Sequence, residues 1–156
     1  MFFLILGLQA QSKVRVVDNS KIGREAMASG KPPKIIQVYS RLHDHKPHGA
    51  YAVLGDRVKV AILGLKKEGI IVGLRAKQVP GVPKFDTNNI VLIKEDGSPL
   101  GTRIHVPIPN CIRQKLKDKS HPKGADYTKI MAIATRFVWW SKKRISLFKL
   151  DIHTFD

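Results

Sequence analysis

The stretch KFDTNNIVLI at residues 84–93, followed by PLGTRIHVPIP at residues 99–109, decides the fold of this chain. Its polar Asp-Thr-Asn-Asn cluster separates a proline-containing loop from the apolar run NIVLI. Asp and Asn side chains bond nearby backbone N–H groups and accept unusual backbone angles. The cluster therefore predicts a turn that leads into a buried strand. Direct contact of Asn88 or Asn89 with a ligand is the less favoured alternative.

Short β-prone runs with turn residues between them recur along the chain. The predicted strands are KVRVV (13–17), KIIQVYS (34–40), DRVKVAIL (56–63), GIIVGLRAKQ (69–78) and NIVLI (89–93). Turns are predicted at Gly55-Asp56, Lys67-Glu68-Gly69, Pro80-Gly81-Val82-Pro83 and Asp96-Gly97-Ser98-Pro99. Five strands with short links predict an all-β fold, namely a five-stranded closed β-barrel, because closure removes exposed edges.

The longer connections and the carboxy-terminal part are less regular. Residues 19–33 and 41–55 are rich in Gly, Pro, Ser and His, and they are predicted to be surface loops. Asn110 is predicted to cap a short helix through NCIRQKLK, whose last turn is basic. The run KIMAIA at 129–134 fits a strand or a buried helix, since so short an apolar run does not distinguish them. We therefore expect a small helical carboxy-terminal part.

The charge of the chain indicates its class of partner. There are 28 Lys and Arg against 12 Asp and Glu, which gives a formal net charge of +16. Such an excess opposes compaction unless an anion neutralises it, and nucleic acid is the leading candidate. A membrane is disfavoured, because the chain shows neither a basic amphipathic helix nor a lipidation motif. MFFLILGL at the amino terminus is also far shorter than the roughly 20 apolar residues of a membrane span.

The sequence offers no support for an enzyme or a metal site. Nucleophile-elbow, zinc-protease, phosphate-loop and dinucleotide-binding motifs are absent. The His43, His45 and His48 cluster has poor spacing for zinc, since residues two apart on a strand point to opposite faces. Cys111 is the only cysteine and is interpreted as a buried thiol, so no internal disulfide forms. We predict no cofactor and no metal.

The basic side chains in the connections are predicted to contact phosphates, because acidic partners are too few. These residues are Lys34, Arg41, Lys46, Lys66, Lys67, Lys77, Lys84, Arg113, Lys115 and Lys117. Arg103 in the step GTRI offers a planar fork that suits either the Asp86 carboxylate or a phosphate, and both alternatives stay open. No aromatic ladder for stacking bases is present, so docking on folded RNA by shape and charge is favoured over reading of single strands.

Several segments together resemble the L-fourteen ribosomal protein family of the large subunit. They are VRVVDNS (14–20), GDRVKVAIL (55–63), GIIVG (69–73), KFDTNNIVLI (84–93), PLGTRIHVPIP (99–109) and KIMAIA (129–134). Their order and spacing cover residues 14–138. The loop QVPGVPKF at 78–85 looks more like the mitochondrial branch of that family.

The resemblance implies a structural protein without enzymatic activity. It implies a five-stranded barrel on large-subunit rRNA at the subunit interface, beside neighbouring large-subunit proteins and facing small-subunit rRNA. By the same resemblance Asp18, Asn19 and Ser20 lie near RNA, and a ribosome-silencing factor is a plausible partner. The expected location is the mitochondrial matrix, within the mitoribosome.

The resemblance also divides the chain, and two other functions compete with it. We expect an amino-terminal segment (1–12), an L-fourteen-like β-barrel domain (13–138) and a carboxy-terminal extension (139–156) without a family role. One alternative is an oligonucleotide-binding β-barrel that acts outside the ribosome. The other is a regulatory scaffold that recruits a protein through its WW-bearing tail.

Overall fold

The computed structural model describes residues 7–39, 51–75, 85–119 and 126–138. This part of the chain is mostly β, with three short helices. The elements are β1 (Arg15–Val16), α1 (Lys21–Ala28), β2 (Lys34–Val38), β3 (Arg57–Ile62), β4 (Leu65–Gly73), β5 (Asn89–Ile93), β6 (Ile108–Pro109), α2 (Cys111–Lys119), α3 (Thr128–Ala132) and β7 (Phe137–Val138).

Five strands form one sheet in the order β1-β5-β4-β3-β2. All neighbours are antiparallel except β1 and β5, which are parallel. The five-stranded sheet was predicted, but its closure into a barrel is wrong for the described residues. The edge strands β1 and β2 share no ladder, and residues 11–14 meet residues 33–35 through one isolated bridge, Lys13 to Lys34, and three backbone hydrogen bonds. β1 has only two residues, because the chain changes its pairing partner between Val14 and Arg15. The Val14 N–H donates to Pro33 O beside β2, and the Arg15 N–H donates to Asn88 O beside β5.

The hairpin between β3 and β4 turns earlier than the sequence indicates. Its turn lies at Leu63-Gly64, where both residues have positive φ angles of 47° and 80°. Two consecutive left-handed residues form the kind of tight turn that matches the twist of the flanking strands. The predicted turn at residues 67–69 is therefore wrong, and these residues lie inside β4, paired with β3 and β5.

Residues 19–33, predicted as a surface loop, contain the helix α1. Ser20 begins it as N-cap, since its Oγ accepts a hydrogen bond from the Gly23 N–H at 3.2 Å. Ala26 is fully buried, so this helix packs one face on the core. The predicted helix after Asn110 is confirmed as α2, and KIMAIA, left open between helix and strand, begins in α3.

A single hydrophobic cluster joins the sheet to the helices. In β3, Val58, Val60 and Ile62 are buried and alternate with half-buried residues, as a strand with one core face requires. All five residues of β5 are buried, so this strand is covered on both faces. Ile112 and Leu116 of α2 and Ile130 of α3 belong to the same cluster, which ties the carboxy-terminal helices to the sheet.

Candidate nucleic-acid interface

The polar residues after β1 hold together two parts of the chain that are far apart in sequence. The Asn19 N–H donates to Arg103 O at 3.1 Å, and Asn19 Nδ2 donates to Thr102 Oγ1 at 2.9 Å. Asn19 Oδ1 accepts from the backbone N–H groups of Thr102 and Arg103, at 2.8 and 3.3 Å. Asp18 forms a β-bridge with Ile104. This junction fixes the backbone of the Gly-Thr-Arg step against the start of α1.

Asp18 lies inside this junction and is only 4% exposed. Burial raises the pKa of its carboxyl group, and hydrogen bonds from Ser20 and from the Leu92 N–H only partly oppose this. Its Oδ2 atom is buried without a hydrogen-bond partner among the described residues. A Cβ at Gly101 would lie 2.8 Å from that oxygen, so the loop approaches Asp18 as closely as a glycine permits.

The three residues that the resemblance places near RNA, Asp18, Asn19 and Ser20, are largely withdrawn from the surface. Asp18 and Ser20 are buried, and Asn19 is half-buried with its amide bonded to the neighbouring loop. The Asn19 side chain stabilises the loop at Thr102 and Arg103, and the Ser20 hydroxyl caps α1. A direct RNA contact at these three positions stays a prediction.

Arg103 has a fixed backbone and an exposed side chain. The alternative that it pairs with Asp86 is not realised, because within the described ranges the ion pair that forms is Arg57–Glu68. Asp86 is itself exposed. The guanidinium of Arg103 is thus presented to the surface beside the junction.

The FDTNN segment is a bend, as predicted. One of its side chains, Asn88, bonds a residue outside the bend rather than its immediate neighbours. Asn88 Oδ1 accepts the Arg75 N–H at 2.9 Å, and Asn88 O accepts the Arg15 N–H at 2.7 Å. Thr87 Oγ1 donates to Asn89 Oδ1 at 2.7 Å, and Asn89 is buried. Asn88 therefore sets the backbone positions of two arginines that lie on different strands or their ends.

The basic residues predicted on α2 differ in how they are engaged. The Arg113 guanidinium lies over the Phe137 ring, 4.7 Å from its centroid, so it joins α2 to β7 by a cation–π contact. Lys115 Nζ donates to Leu54 O at 3.0 Å. Lys117 is exposed. Two of these three cations thus also have structural contacts within the chain.

The remaining predicted cations lie on the strands β2 and β4 or outside the described residues. Lys34 and Lys66 are exposed, and Lys67 is half-buried. Arg57 bonds Glu68 and lies 5.9 Å from the centroid of Tyr39. The placements of Arg41, Lys46, Lys77 and Lys84, together with the histidine cluster at 43–48, fall outside the described ranges.

The described region shows neither a metal site nor a membrane helix. No group of three or more His, Cys, Asp or Glu residues in it converges on a point. None of its helices has the length and apolarity to cross a bilayer. Cys111 is half-buried rather than buried, and it is not in a disulfide.

Sequence reasoning missed five cationic or ionisable residues that surround two surface cavities. Lys13, Arg15, Arg24, Arg75 and His105 are all exposed, and each lines one or both cavities. A signal was present in Lys13-Val14-Arg15-Val16, where apolar residues face the core and cations alternate with them. Arg24 lies on α1, a helix that the composition of residues 19–33 does not indicate. Arg75 and His105 reach the cavities through pairings between distant segments.

A β-rich, strongly basic domain whose exposed cations outnumber its exposed carboxylates has the features of nucleic-acid-binding structural proteins. Comparison with known proteins makes the class specific: residues 7–138 match the family model for ribosomal protein L14p/L23e. The chain belongs to this family.

Individual relatives agree with the family model. The large ribosomal subunit protein uL14m of Danio rerio is 41% identical over 134 residues, which cover 86% of this chain and 83% of that protein. The large ribosomal subunit protein uL14 of Mesomycoplasma hyopneumoniae strain 7448 is 42% identical over 76 residues. That shorter match covers 40% of this chain and 62% of that relative.

Proposed function

We propose that this chain is a structural constituent of the large subunit of the mitochondrial ribosome, where it binds rRNA beside other ribosomal proteins. The observation that carries the proposal is the 41% identity over most of the chain to a protein named as uL14m, the mitochondrial form. The family is one of structural ribosomal proteins and not of enzymes. The family match favours neither the free oligonucleotide-binding protein nor the scaffold.

The mechanism that we propose is electrostatic clamping of folded rRNA. The sheet and its buried junctions hold loops whose cations neutralise phosphates, and phosphate contacts position a protein without reading sequence. Exposed Arg103, Lys34, Lys66 and Lys117 are suited to this role because they project from the rigid body. Asn19, through its bonds to Thr102 and Arg103, and Asp18, through its backbone bridge to Ile104, would support the clamp by holding the Arg103 loop, while Ser20 caps the adjacent helix.

Two finer partners and the division of the chain belong to the same proposal. We place small-subunit rRNA opposite this protein across the subunit interface, where it would take part in an intersubunit bridge. A ribosome-silencing factor would dock on the same exposed side of the large subunit. Residues 13–138 would form the rRNA-binding domain, with 1–12 as an amino-terminal segment and 139–156 as an extension.

Sedimentation of a tagged copy from mitochondrial lysate tests the assignment. We expect co-migration with the large subunit, and loss of co-migration when magnesium chelation disperses the rRNA. A tagged chain that lacks residues 139–156 should still enter the large subunit, because the family model matches residues 7–138 and the described hydrophobic cluster is formed by residues within that range. A peak near the top of the gradient for the full chain would contradict the ribosomal role. Loss of the principal interaction in the shortened chain alone would favour the scaffold.

A further inference from the structure

Two cavities open on either side of Arg15, and this residue lines both of them. We call them the α1 cavity and the Asn88 cavity. The α1 cavity measures about 310 Å³ and the Asn88 cavity about 530 Å³. Both volumes fall within the range of about 300–1,000 Å³ that is usual for ligand sites.

The α1 cavity combines an apolar floor with a cationic rim. Val16 and Val17 are buried at its floor, and half-buried Met27 of α1 lies at its side. Its exposed charged or ionisable residues are Arg15, Arg24 and His105. The acidic residue that lines it, Asp18, is buried, and burial raises its pKa. Such a site favours a flat, partly apolar group that is attached to an anion.

The Asn88 cavity has the same character on the other side of Arg15. Exposed Lys13, Arg15 and Arg75 contribute positive charge, and exposed Asp86 contributes the one carboxylate of its lining. Asn88 fixes both arginine backbones by accepting their N–H groups at 2.7 and 2.9 Å. The backbone positions from which these two arginine side chains extend are therefore set by the fold.

The spacing of the cations along the chain suits a string of phosphates. Lys13 and Arg15 are exposed while Val14 and Val16 are buried, so the two cations lie on one side of the segment. Residues two apart on an extended chain are separated by about 7 Å. Consecutive phosphates of an extended nucleic acid strand have a comparable separation. In the described part of the chain, these cations form no ion pair.

We propose that a single-stranded segment of RNA crosses the protein at Arg15 and places one unstacked nucleotide in each cavity. This inference rests on the proposed ribosomal function and deepens it, because it names the RNA element that this side of the protein binds. Arg15 contacts the phosphate between the two nucleotides, and Lys13, Arg24 and Arg75 contact flanking phosphates. His105 and Met27 line the sides of the base in the α1 cavity.

Unpaired RNA fits this surface better than an RNA duplex or an acidic peptide does. Proteins that bind unpaired RNA place splayed bases against side chains in concave sites, whereas a duplex offers its bases no access to a cavity. An acidic peptide would satisfy the cations, but the half-buried apolar residues Met27 and Val106 at the α1 cavity suit a planar base better than a carboxylate side chain. Two cavities that share Arg15 can therefore hold two adjacent nucleotides, with Arg15 at the phosphate between them.

The first test measures binding of the purified full chain to a 12-nucleotide oligouridylate by fluorescence anisotropy. Arg15→Gln and Arg24→Gln should each weaken binding about tenfold, and each should lower the slope of log affinity against log salt concentration by about one. Lys129→Gln is the matched control, because Lys129 is an exposed cation on α3 that lines neither cavity. It should change affinity less than threefold.

A second variant tests the cavity itself rather than the charge. Val106 is half-buried at the α1 cavity, and Val106→Phe would fill that space without altering the net charge. Binding of the oligouridylate should weaken at least fivefold while the salt slope stays unchanged. Far-ultraviolet circular dichroism and thermal melting of every variant establish that the fold is retained. Should Val106→Phe melt early, Met27→Phe at the same cavity replaces it.

Three results would overturn the inference. One is equal weakening by Lys129→Gln and Arg15→Gln, another is tighter binding of a 12-base-pair RNA duplex than of the single strand, and the third is tighter binding of a poly-glutamate peptide.

Ultraviolet cross-linking of assembled large subunits separates this inference from the proposed function. Nucleotide adducts on peptides that contain Met27 or His105 would support the site. If the tagged chain co-sediments with the large subunit but these peptides carry no adduct, the two-nucleotide site is wrong and the ribosomal assignment stands. If the chain does not co-sediment, the proposed function itself fails.

Discussion

At the scale of single residues, Asp18 is a carboxyl group buried at a cost. Its Oδ2 atom has no partner in the described region, and burial raises its pKa above the ordinary 3.8. The folded state therefore binds a proton more readily than the unfolded state does. By linkage, Asp18 lowers the stability of the protein as the pH rises from 3.8 through its folded pKa, and the full cost is present above that value.

The variant Asp18→Asn should remove this dependence. We expect it to melt at a higher temperature than the parent protein at pH 7.5, and we expect the difference to shrink as the pH falls toward 3.8. The measurement is thermal unfolding across that pH range.

Asp126→Asn provides a control of opposite sign. Hydrogen bonds from the Thr128 N–H and hydroxyl lower the pKa of exposed Asp126, so its contribution to stability is present above pH 3.8 and is lost as the pH falls. Its replacement should not raise the melting temperature at pH 7.5. A lower melting temperature for Asp18→Asn at every pH would mean that the Asp18 carboxylate has an unseen partner.

At the scale of elements, the Asn19 junction joins the β1–α1 connection to the loop that follows β5. Asn19→Ala removes the side-chain bonds to Thr102 and Arg103 but leaves the backbone bond from Asn19 to Arg103. We expect the free energy of unfolding to fall by about 0.5–1.5 kcal/mol, because the groups that lose their partner on Thr102 and Arg103 are exposed and can bond water instead. Urea unfolding followed by circular dichroism measures this change.

Gln37→Ala is the matched control for the junction, since Gln37 is an exposed amide on β2. Exposed substitutions of this kind usually change stability by less than about 0.5 kcal/mol. Equal losses for the two variants would show that the junction contributes no more than an ordinary surface amide.

At the scale of the whole molecule, the net charge of +16 should govern the affinity for RNA. Each neutralised phosphate contributes about −0.7 to −0.9 to the slope of log affinity against log salt concentration. Contacts with four or more phosphates should therefore give a slope of about −3 or steeper for large-subunit rRNA transcribed in vitro. Filter binding at roughly 50 to 300 mM KCl measures this slope, since protein–nucleic acid affinity changes steeply over that range of salt concentration. A flat response would contradict electrostatic clamping.

Several features followed from the sequence because they depend on local chemistry. The run NIVLI at 89–93 had both boundaries predicted, since a polar bend precedes it and a turn follows it. The helix after Asn110 and the alternation of β3 were likewise readable from short-range pattern. Composition indicated an anionic partner, and the quoted segments together carried the family resemblance, which the family model confirms.

Other features were decided only by contacts between distant segments. The hairpin turns at Leu63-Gly64 because pairing of β3 with β4 and of β4 with β5 fixes the register, and the Lys-Glu-Gly signal does not override it. α1 forms where its composition indicated a loop, because Ser20 caps it and Ala26 gains a buried position on the core. Arg15 is placed beside Arg75 on one side and His105 on the other only through bonds across 13 to 88 residues of chain, which no local pattern encodes. The sequence by itself determined the strand content, the charge and the family, since these reside in neighbouring residues. Tertiary structure alone decided which of the many cations line the two cavities. The physical reason is that burial of the intervening apolar residues and hydrogen bonds between distant segments fix where each cation lies.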